Sequence, residues 1–221
     1  IHSSGRRRIV TASIHPCRTV VMLSGSGTTL QNLIDRQERG ELPIQIVQTI
    51  SSRHDAYGIE RARRHGIPAQ IIARKDFPSW EAFNEAMSKA VDTVRPDLIC
   101  FAGFMSLFRP DPQYYGRIMN VHPALIPSFC GKGMYGHHVH EAVIQTGVKI
   151  TGCTVHFVDE QYDTGPIILQ KPVEVRDDDT PDTLAERVQA AERELYPKAI
   201  QLFAEGRLRI EGRRVKIDGA G

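Results

Sequence analysis

Several features that assign a chain to a specialised class are missing from this sequence. Its four cysteines, Cys17, Cys100, Cys130 and Cys153, are far apart, form no Cys-x-x-Cys pair and have no histidine at zinc-finger spacing. This argues against a structural metal or a disulfide framework. No apolar run approaches the roughly 18 residues needed to cross a bilayer, and the start of the chain has no signal-peptide apolar region. We therefore expect a soluble, cytoplasmic protein.

An excess of charge of one sign is also missing. The 28 basic and 26 acidic residues give a net charge of +2, which gives no reason to expect a nucleic-acid or membrane partner. With 221 residues, 41% of them hydrophobic, the chain is long enough for one sizeable core. We predict a single domain over residues 19–221. Residues 1–18, which include three consecutive arginines, are expected to be a disordered extension.

Apolar runs alternate with helical patterns from residue 19 onward. The continuous apolar runs at 19–23 and 98–105 are typical of buried parallel strands. Apolar segments at 150–158 and 166–175 are separated by a short acidic turn, which favours an antiparallel hairpin. Thr180, followed by Pro181, is expected to cap a last long helix. The patterns predict an α/β fold with a mostly parallel, Rossmann-like sheet flanked by helices, and antiparallel strands added in the C-terminal half.

A glycine-rich turn, residues 24–29, follows the first predicted strand and leads into a helix. Glycine lets the backbone approach a ligand closely, and the free N–H groups at a helix start attract phosphate. The turn is neither a Walker A motif nor a full Gly-x-Gly-x-x-Gly pattern. A tight turn without a ligand would explain the glycines, but the hydroxyls of Ser26, Thr28 and Thr29 favour a site for one phosphate of a mononucleotide.

The segment Asn120-Val121-His122 lies at the end of another short apolar run. Asn120 and His122 are two residues apart, so on a strand their side chains point to the same side. An amide donor beside an imidazole can stabilise an oxyanion and move a proton. A structural histidine is the alternative reading. The acidic turn at 159–165 offers a carboxylate that we expect to raise the pKa of His122 and keep its imidazolium available near neutral pH.

A glycine-containing segment follows this candidate site. Gly131, Lys132 and Gly133 predict a mobile surface flap rather than a phosphate clamp. Three histidines come next, but no carboxylate or cysteine stands at matching spacing to complete a metal site. We therefore expect a helix start with solvated imidazoles. These histidines are His137, His138 and His140.

Four separated segments resemble the phosphoribosylglycinamide formyltransferase family in order and approximate spacing. They are residues 24–31 (SGSGTTLQ), 102–105 (AGFM), 120–127 (NVHPALIP) and 156–166 (HFV through DTGP). The resemblance covers residues 19–210 and implies the formyltransferase fold. It also implies transfer of a formyl group from 10-formyltetrahydrofolate, as co-substrate, to the amine of glycinamide ribonucleotide in purine (IMP) biosynthesis, without a metal.

The resemblance further implies roles for individual residues. His122 would be the proton donor and oxyanion stabiliser, Asn120 would polarise the formyl oxygen, and Asp163 would set the charge of His122 and help relay the proton. The residues implied to hold the ribonucleotide are Gly27, Thr28 and Thr29 at the phosphate, Gln189 nearby, and Glu192 at the ribose hydroxyls. Those implied to line the folate site are Trp80, Met105, Ser106, Leu107, Phe108, Asn120 and Asp159.

Three positions depart from the family pattern. Trp80 and Ser106 stand where members carry arginine, and Thr29 stands where they carry asparagine. Loss of two cations is expected to weaken the grip on the glutamate tail of the folate. The departures leave the implied catalytic residues untouched, so we expect the reaction to be retained.

Two related enzymes and one non-enzymatic class compete with this interpretation. A methionyl-tRNA formyltransferase needs an RNA-binding domain, for which the length and charge leave no room. A formyltetrahydrofolate deformylase, which hydrolyses the same folate, normally carries an N-terminal regulatory domain. A non-catalytic nucleotide-binding module is the remaining class. We expect only small-molecule partners and a monomer or homodimer.

Overall fold

The computed structural model describes residues 15–219. Its strands are β1 (Cys17–Leu23), β2 (Ile44–Ser51), β3 (Ala69–Ile71), β4 (Leu98–Phe101), β5 (Ile118–His122), β6 (Ile150–Phe157), β7 (Ile167–Glu174), β8 (Leu208–Glu211) and β9 (Arg214–Ile217). Its α-helices are α1 (Thr28–Glu38), α2 (Gly58–Arg64), α3 (Trp80–Val94), α4 (His137–Thr146) and α5 (Pro181–Ala204). Within these residues all strands belong to a single sheet, in the order β3-β2-β1-β4-β5-β6-β7-β9-β8.

The sheet is parallel on one side and mixed on the other. Strands β3, β2, β1, β4 and β5 are parallel neighbours. Strand β6 is antiparallel to β5, and β7 is antiparallel to β6. The last two strands form an antiparallel pair that joins the sheet where β9 runs parallel to β7. The predicted fold class is therefore confirmed, including the hairpin made by β6 and β7.

The apolar run of β1 is buried on both faces of the sheet. Val21 and Leu23 belong to a core cluster that includes the apolar faces of α1 and α5. Val20 and Met22 belong to a second cluster with residues of α3. Successive side chains of a strand point to opposite faces, so a strand covered by helices on both sides must be apolar throughout. Across residues 15–219, no helix is long and apolar enough to span a membrane.

The start of β1 corrects one predicted boundary. The extension was expected to end at residue 18, but Cys17 is 6% exposed and already pairs with Ile44 of β2. The single cysteine was too weak a signal to extend the apolar run backward across the charged Arg18. The expected disorder of residues 1–14 lies outside the described residues. Thr180 caps α5 as predicted, because its hydroxyl accepts a hydrogen bond from the Thr183 amide.

The sheet order reverses between β1 and β4. The chain adds β2 and β3 on one side of β1 and then crosses to add β4 and β5 on the other. The ends of the two central strands stay joined, since Ala102 N donates to Met22 O at 2.8 Å and Ser24 N donates to Gly103 O at 3.1 Å. Ligands of parallel α/β sheets bind in the crevice beyond such a reversal point.

Candidate active site

A cavity of about 650 Å³ lies beyond this edge of the sheet. It is lined by residues 25–29, 101–108, 120–123 and 131–136, by several residues between 156 and 163, and by Gln189. The glycine-rich turn and the Asn-x-His segment, which are far apart in the sequence, therefore border the same space. A volume of this size is typical of small-molecule sites.

The glycine-rich turn is shaped to leave backbone donors free at the start of α1. Gly27 has φ of 73°, and a Cβ at this position would lie 2.5 Å from Gly58 Cα, so only glycine lets the turn pack against α2. Arg61 Nε, on α2, donates a hydrogen bond to Ser26 O at 2.9 Å and so fixes the turn to α2. The first turn of α1 contains no acidic residue, so its positive dipole end remains available to an anion.

Ser24 joins two of the loops that line the cavity. Its hydroxyl accepts a hydrogen bond from Met105 N at 2.9 Å and lies 2.7 Å from the hydroxyl of Ser52. Ser24 is 2% exposed, so this contact is shielded from water and fixes the position of the segment after β4 relative to the glycine-rich turn. Sequence reasoning assigned no role to Ser24.

His122 has one nitrogen committed to the backbone and one available for proton transfer. Its Nε2 lies 2.7 Å from Phe129 O, and since a carbonyl oxygen can only accept, Nε2 carries the hydrogen. Its Nδ1 faces Asp163 Oδ2 at 3.6 Å. The side chain lines the cavity, although the residue is only 3% exposed. Nδ1 is therefore the atom that gains or loses a proton.

Asp163 is held in an unusual backbone conformation by the loop between β6 and β7. Its φ of 56° lies in the left-handed region, which aspartate tolerates better than most residues. Oδ2 accepts a hydrogen bond from Gly131 N at 3.0 Å, and Oδ1 is 3.6 Å from His156 Nε2. Burial acts to raise the pKa of Asp163, but His156, His122 and the Gly131 amide outweigh it and hold the pKa below its ordinary value.

The charge of His122 differs from the prediction. Burial lowers its pKa, and the opposing effect of the Asp163 carboxylate does not fully compensate. Asp163 therefore favours the imidazolium, as expected from the sequence, but the net pKa lies below the ordinary value rather than above it. The degree of burial decides the sign and could not be read from the sequence. A pKa below the ordinary value leaves the His122 imidazole mostly neutral at neutral pH.

His156 is a functional candidate to which sequence reasoning gave no role. It lies on β6 directly opposite Asn120 and is 1% exposed. Its Nδ1 donates to Phe157 O at 2.9 Å, and its Nε2 lies 3.3 Å from Asn120 Nδ2, an atom that can only donate. This contact uses one N–H of the Asn120 amide and leaves the other available to the cavity. The register of β5 and β6 brings the pair together.

The candidate ribonucleotide residues fall into two adjoining spaces. Gly27, Thr28, Thr29 and Gln189 line the main cavity. Glu192 instead lines a small pocket beside it, together with Thr28 and Thr29. Burial raises the pKa of Glu192 to about 8. Its carboxyl group is therefore mostly protonated at neutral pH and can both donate and accept hydrogen bonds.

The candidate folate residues line the same cavity, with one exception. The segment 105–108 and Asp159 line the cavity. The Asp159 carboxylate, however, accepts hydrogen bonds from Gln161 N and Thr164 Oγ1 within its own loop. Trp80 does not line the cavity. Its Nε1 donates to Leu107 O at 3.0 Å. Trp80 therefore holds the backbone of segment 105–108 in place without facing the cavity.

The expectation of solvated imidazoles fails at His140. His137 and His138 are exposed, but His140 is 3% exposed, and its Nδ1 has no hydrogen-bond partner among residues 15–219. His140 lies about one helical turn after His137 in α4, and its side chain faces the protein interior. Its closeness in sequence to two exposed histidines gave no sign of this burial. Burial, and then the nearby His137 and His122, lower its pKa to about 4. Among residues 15–219, no group of three or more His, Cys, Asp or Glu side chains is placed to hold a metal ion.

We expect His140 to make the fold acid-sensitive. Its pKa is about 4 in the folded chain against an ordinary 6.5, so the unfolded chain binds more protons between these values and stability falls as pH drops through this window. The cost at pH 4 is about 2 to 3 kcal/mol. Urea denaturation of wild type and His140→Gln at pH 7 and pH 4 should show a smaller pH effect in the variant. The exposed His138→Gln is the control, and equal pH effects in all three proteins would contradict the assignment.

Comparison with known proteins gives a consistent result. Residues 17–200 match the family model described as formyl transferase. The chain is 36% identical to the phosphoribosylglycinamide formyltransferase of Escherichia coli over 90% of this chain and 93% of that protein. It is 39% identical to the bovine trifunctional purine biosynthetic protein adenosine-3 over 90% of this chain, but spans only 20% of that longer protein.

Solved structures agree with these relatives. The structure of glycinamide ribonucleotide transformylase 1 from Symbiobacterium toebii is similar with a TM-score of 0.85 and 45% identity, covering 93% of this chain and 95% of that one. A formyltetrahydrofolate deformylase from Pseudomonas syringae has a TM-score of 0.84 but only 24% identity, covering 92% of this chain and 66% of that one. The second likeness shows the fold alone.

Proposed function

The chain belongs to the phosphoribosylglycinamide formyltransferase family of formyl transferases, and on this basis we propose that it transfers a formyl group from 10-formyltetrahydrofolate to the amine of glycinamide ribonucleotide. The products are the N-formyl ribonucleotide and tetrahydrofolate. The observation that carries the proposal is the cluster of Asn120, His122 and Asp163 on one wall of the cavity. An amide donor can stabilise the oxyanion of acyl transfer to an amine, and an imidazole beside a carboxylate can move the proton.

The proposed reaction begins with attack of the substrate amine on the formyl carbon. The new C–N bond turns the formyl oxygen into an oxyanion, to which Asn120 donates the N–H that His156 does not use. The amine loses a proton to Nδ1 of His122, and the Asp163 carboxylate stabilises the imidazolium as it forms. His122 then returns this proton to the folate nitrogen as the original C–N bond breaks. A neutral resting His122 suits this role, because its lone pair is available when the amine must be deprotonated.

The residues that line the cavity support a division of binding roles. We propose that the N–H groups and hydroxyls of Gly27, Thr28 and Thr29 bind the substrate phosphate at the start of α1. Gln189 lies near enough to assist, and the protonated Glu192 is suited to the ribose hydroxyls. The folate then occupies the apolar wall formed by residues 105–108. The N-terminal half of the domain thus holds phosphate, and the C-terminal half supplies the catalytic residues.

The decisive experiment is an assay of purified protein with 10-formyltetrahydrofolate, in the presence and absence of glycinamide ribonucleotide. We expect formation of tetrahydrofolate only when the ribonucleotide is present, and loss of turnover in His122→Ala by at least about 100-fold. The folded state of the variant is checked by circular dichroism and by binding of the ribonucleotide.

Other results would identify the competing functions. Release of formate at the same rate without the ribonucleotide would identify a deformylase. Binding of the ribonucleotide without turnover under any condition would identify a binding module.

A further inference from the structure

Positive charge is scarce in the lining of the main cavity. Among the described residues that line it, Lys132 is the only lysine or arginine, whereas Asp159 and Asp163 both contribute carboxylates. Both substrates of the proposed reaction are anions, since one carries a phosphate monoester and the other carries glutamyl carboxylates. Bringing an anion into a partly closed, acidic space is costly unless a cation offsets its charge.

Two arginines on neighbouring elements have different positions. Arg61 lies behind the glycine-rich turn, where it donates to Ser26 O and to Gln31 Oε1 and stacks 5.1 Å above the ring of Tyr57. Arg193 lines the small adjoining pocket rather than the main cavity. Lys132, in contrast, has no hydrogen bond or ion pair to any other residue in the range 15–219, so its ammonium group is free to meet a ligand.

The loop that carries Lys132 has a backbone conformation that depends on glycine. Gly131, Gly133 and Gly136 have φ of 93°, 88° and 54°. A Cβ added at any of them would meet nothing within 4 Å, so the glycines serve the backbone conformation and not a close approach. This conformation brings residues 131–136 along the cavity. It also places the amide of Gly131, the residue before Lys132, on the carboxylate of Asp163.

We propose that the Lys132 ammonium group binds an anionic group of a substrate in this cavity and so determines affinity. The inference rests on the proposed function and deepens it by naming the counter-charge. Two groups of the substrates carry the negative charge that an ammonium group binds: the phosphate of the ribonucleotide and a carboxylate of the folate. Since the contact is made equally in the ground state and the transition state, its loss raises KM and leaves kcat unchanged.

The test compares Lys132→Gln, Lys132→Arg and Arg193→Gln with wild type. Lys89→Gln, on α3 and outside the cavity lining, is the matched control for loss of a surface lysine. Dissociation constants for glycinamide ribonucleotide and for 10-formyltetrahydrofolate are measured by calorimetry, and KM and kcat by turnover. We expect Lys132→Gln to weaken binding of one substrate about tenfold, with kcat within about twofold of wild type. Arginine should restore most of the affinity.

The substrate that is weakened identifies the source of the anion. The inference is overturned if Lys132→Gln binds both substrates as tightly as wild type. It is also overturned if only Arg193→Gln loses affinity. Wild-type protein that binds neither substrate overturns the proposed function and the inference together. If wild-type protein turns over normally and Lys132→Gln has the same kcat and KM, the inference is overturned and the proposed function stands.

Discussion

Replacing Asp163 by asparagine should lower kcat by about 100-fold or more at neutral pH. The Asp163 carboxylate lies 3.6 Å from Nδ1 of His122 and opposes the effect of burial on the imidazole pKa. Without the negative charge, the pKa of His122 falls further, and the imidazolium formed when the amine loses its proton is no longer stabilised. In a plot of kcat against pH, the fall in rate caused by protonation of His122 should therefore move to lower pH.

The matched control is Glu160→Gln in the same loop. It removes one negative charge, but Glu160 is exposed, accepts a hydrogen bond from Tyr115 and does not line the cavity. We expect its kcat and pH profile to be close to those of wild type. Steady-state kinetics between pH 5 and pH 9 decide the question. An Asp163→Asn enzyme with wild-type kcat would remove the carboxylate from the mechanism.

Gly165→Ala should have the largest effect on the fold. A Cβ on Gly165 would lie 1.7 Å from Phe157 O and 2.8 Å from Phe157 C. Backbone atoms cannot rotate away as a side chain can, and Phe157 is tied to Pro166 by a hydrogen bond of 2.9 Å. The loop must therefore move, and with it Asp163, two residues earlier. We expect a loss of stability on the order of 3 kcal/mol or more, together with a large loss of activity.

Thermal and urea denaturation measure this effect, with Gly25→Ala as the control. A Cβ at Gly25 meets nothing within 4 Å, and its φ is not in the left-handed region. For a chain of this size, the expected cost for Gly165→Ala corresponds to a fall in Tm of roughly 10 °C. A Gly165→Ala protein as stable as Gly25→Ala would show that the backbone here adapts easily.

The sequence was most informative where one local signal decides the outcome. The apolar run of β1 followed by glycines predicted a buried strand and the start of α1, and Thr180 with Pro181 predicted the start of α5. Such signals work because periodicity and capping depend on neighbouring residues. The predicted position of Asn120 and His122 at a strand end followed from the same reasoning, and β5 ends at His122.

The missing parts of the candidate site depend on contacts between distant segments. The pairing of His156 with Asn120 requires the register of two antiparallel strands, and the pKa of His122 requires its burial. Trp80 is an aromatic residue on α3, and nothing local indicates that its N–H is bonded to Leu107. His140 was assigned to solvent together with His137 and His138, because no carboxylate or cysteine stood at the spacing of a metal site. In each case the deciding quantity is tertiary and is not encoded in any short segment.

The buried hydroxyl of Ser24 has a consequence for how the two substrates bind. The proposed phosphate turn and the proposed folate wall are joined at Ser24, whose hydroxyl accepts a hydrogen bond from Met105 N. A ligand that orders either loop therefore reduces the freedom left to the other. The second ligand then pays a smaller entropic cost on binding. Thermodynamic linkage requires this synergy to be equal in both directions. We therefore expect the Ser24 contact to make the affinity of each proposed substrate depend on the presence of the other.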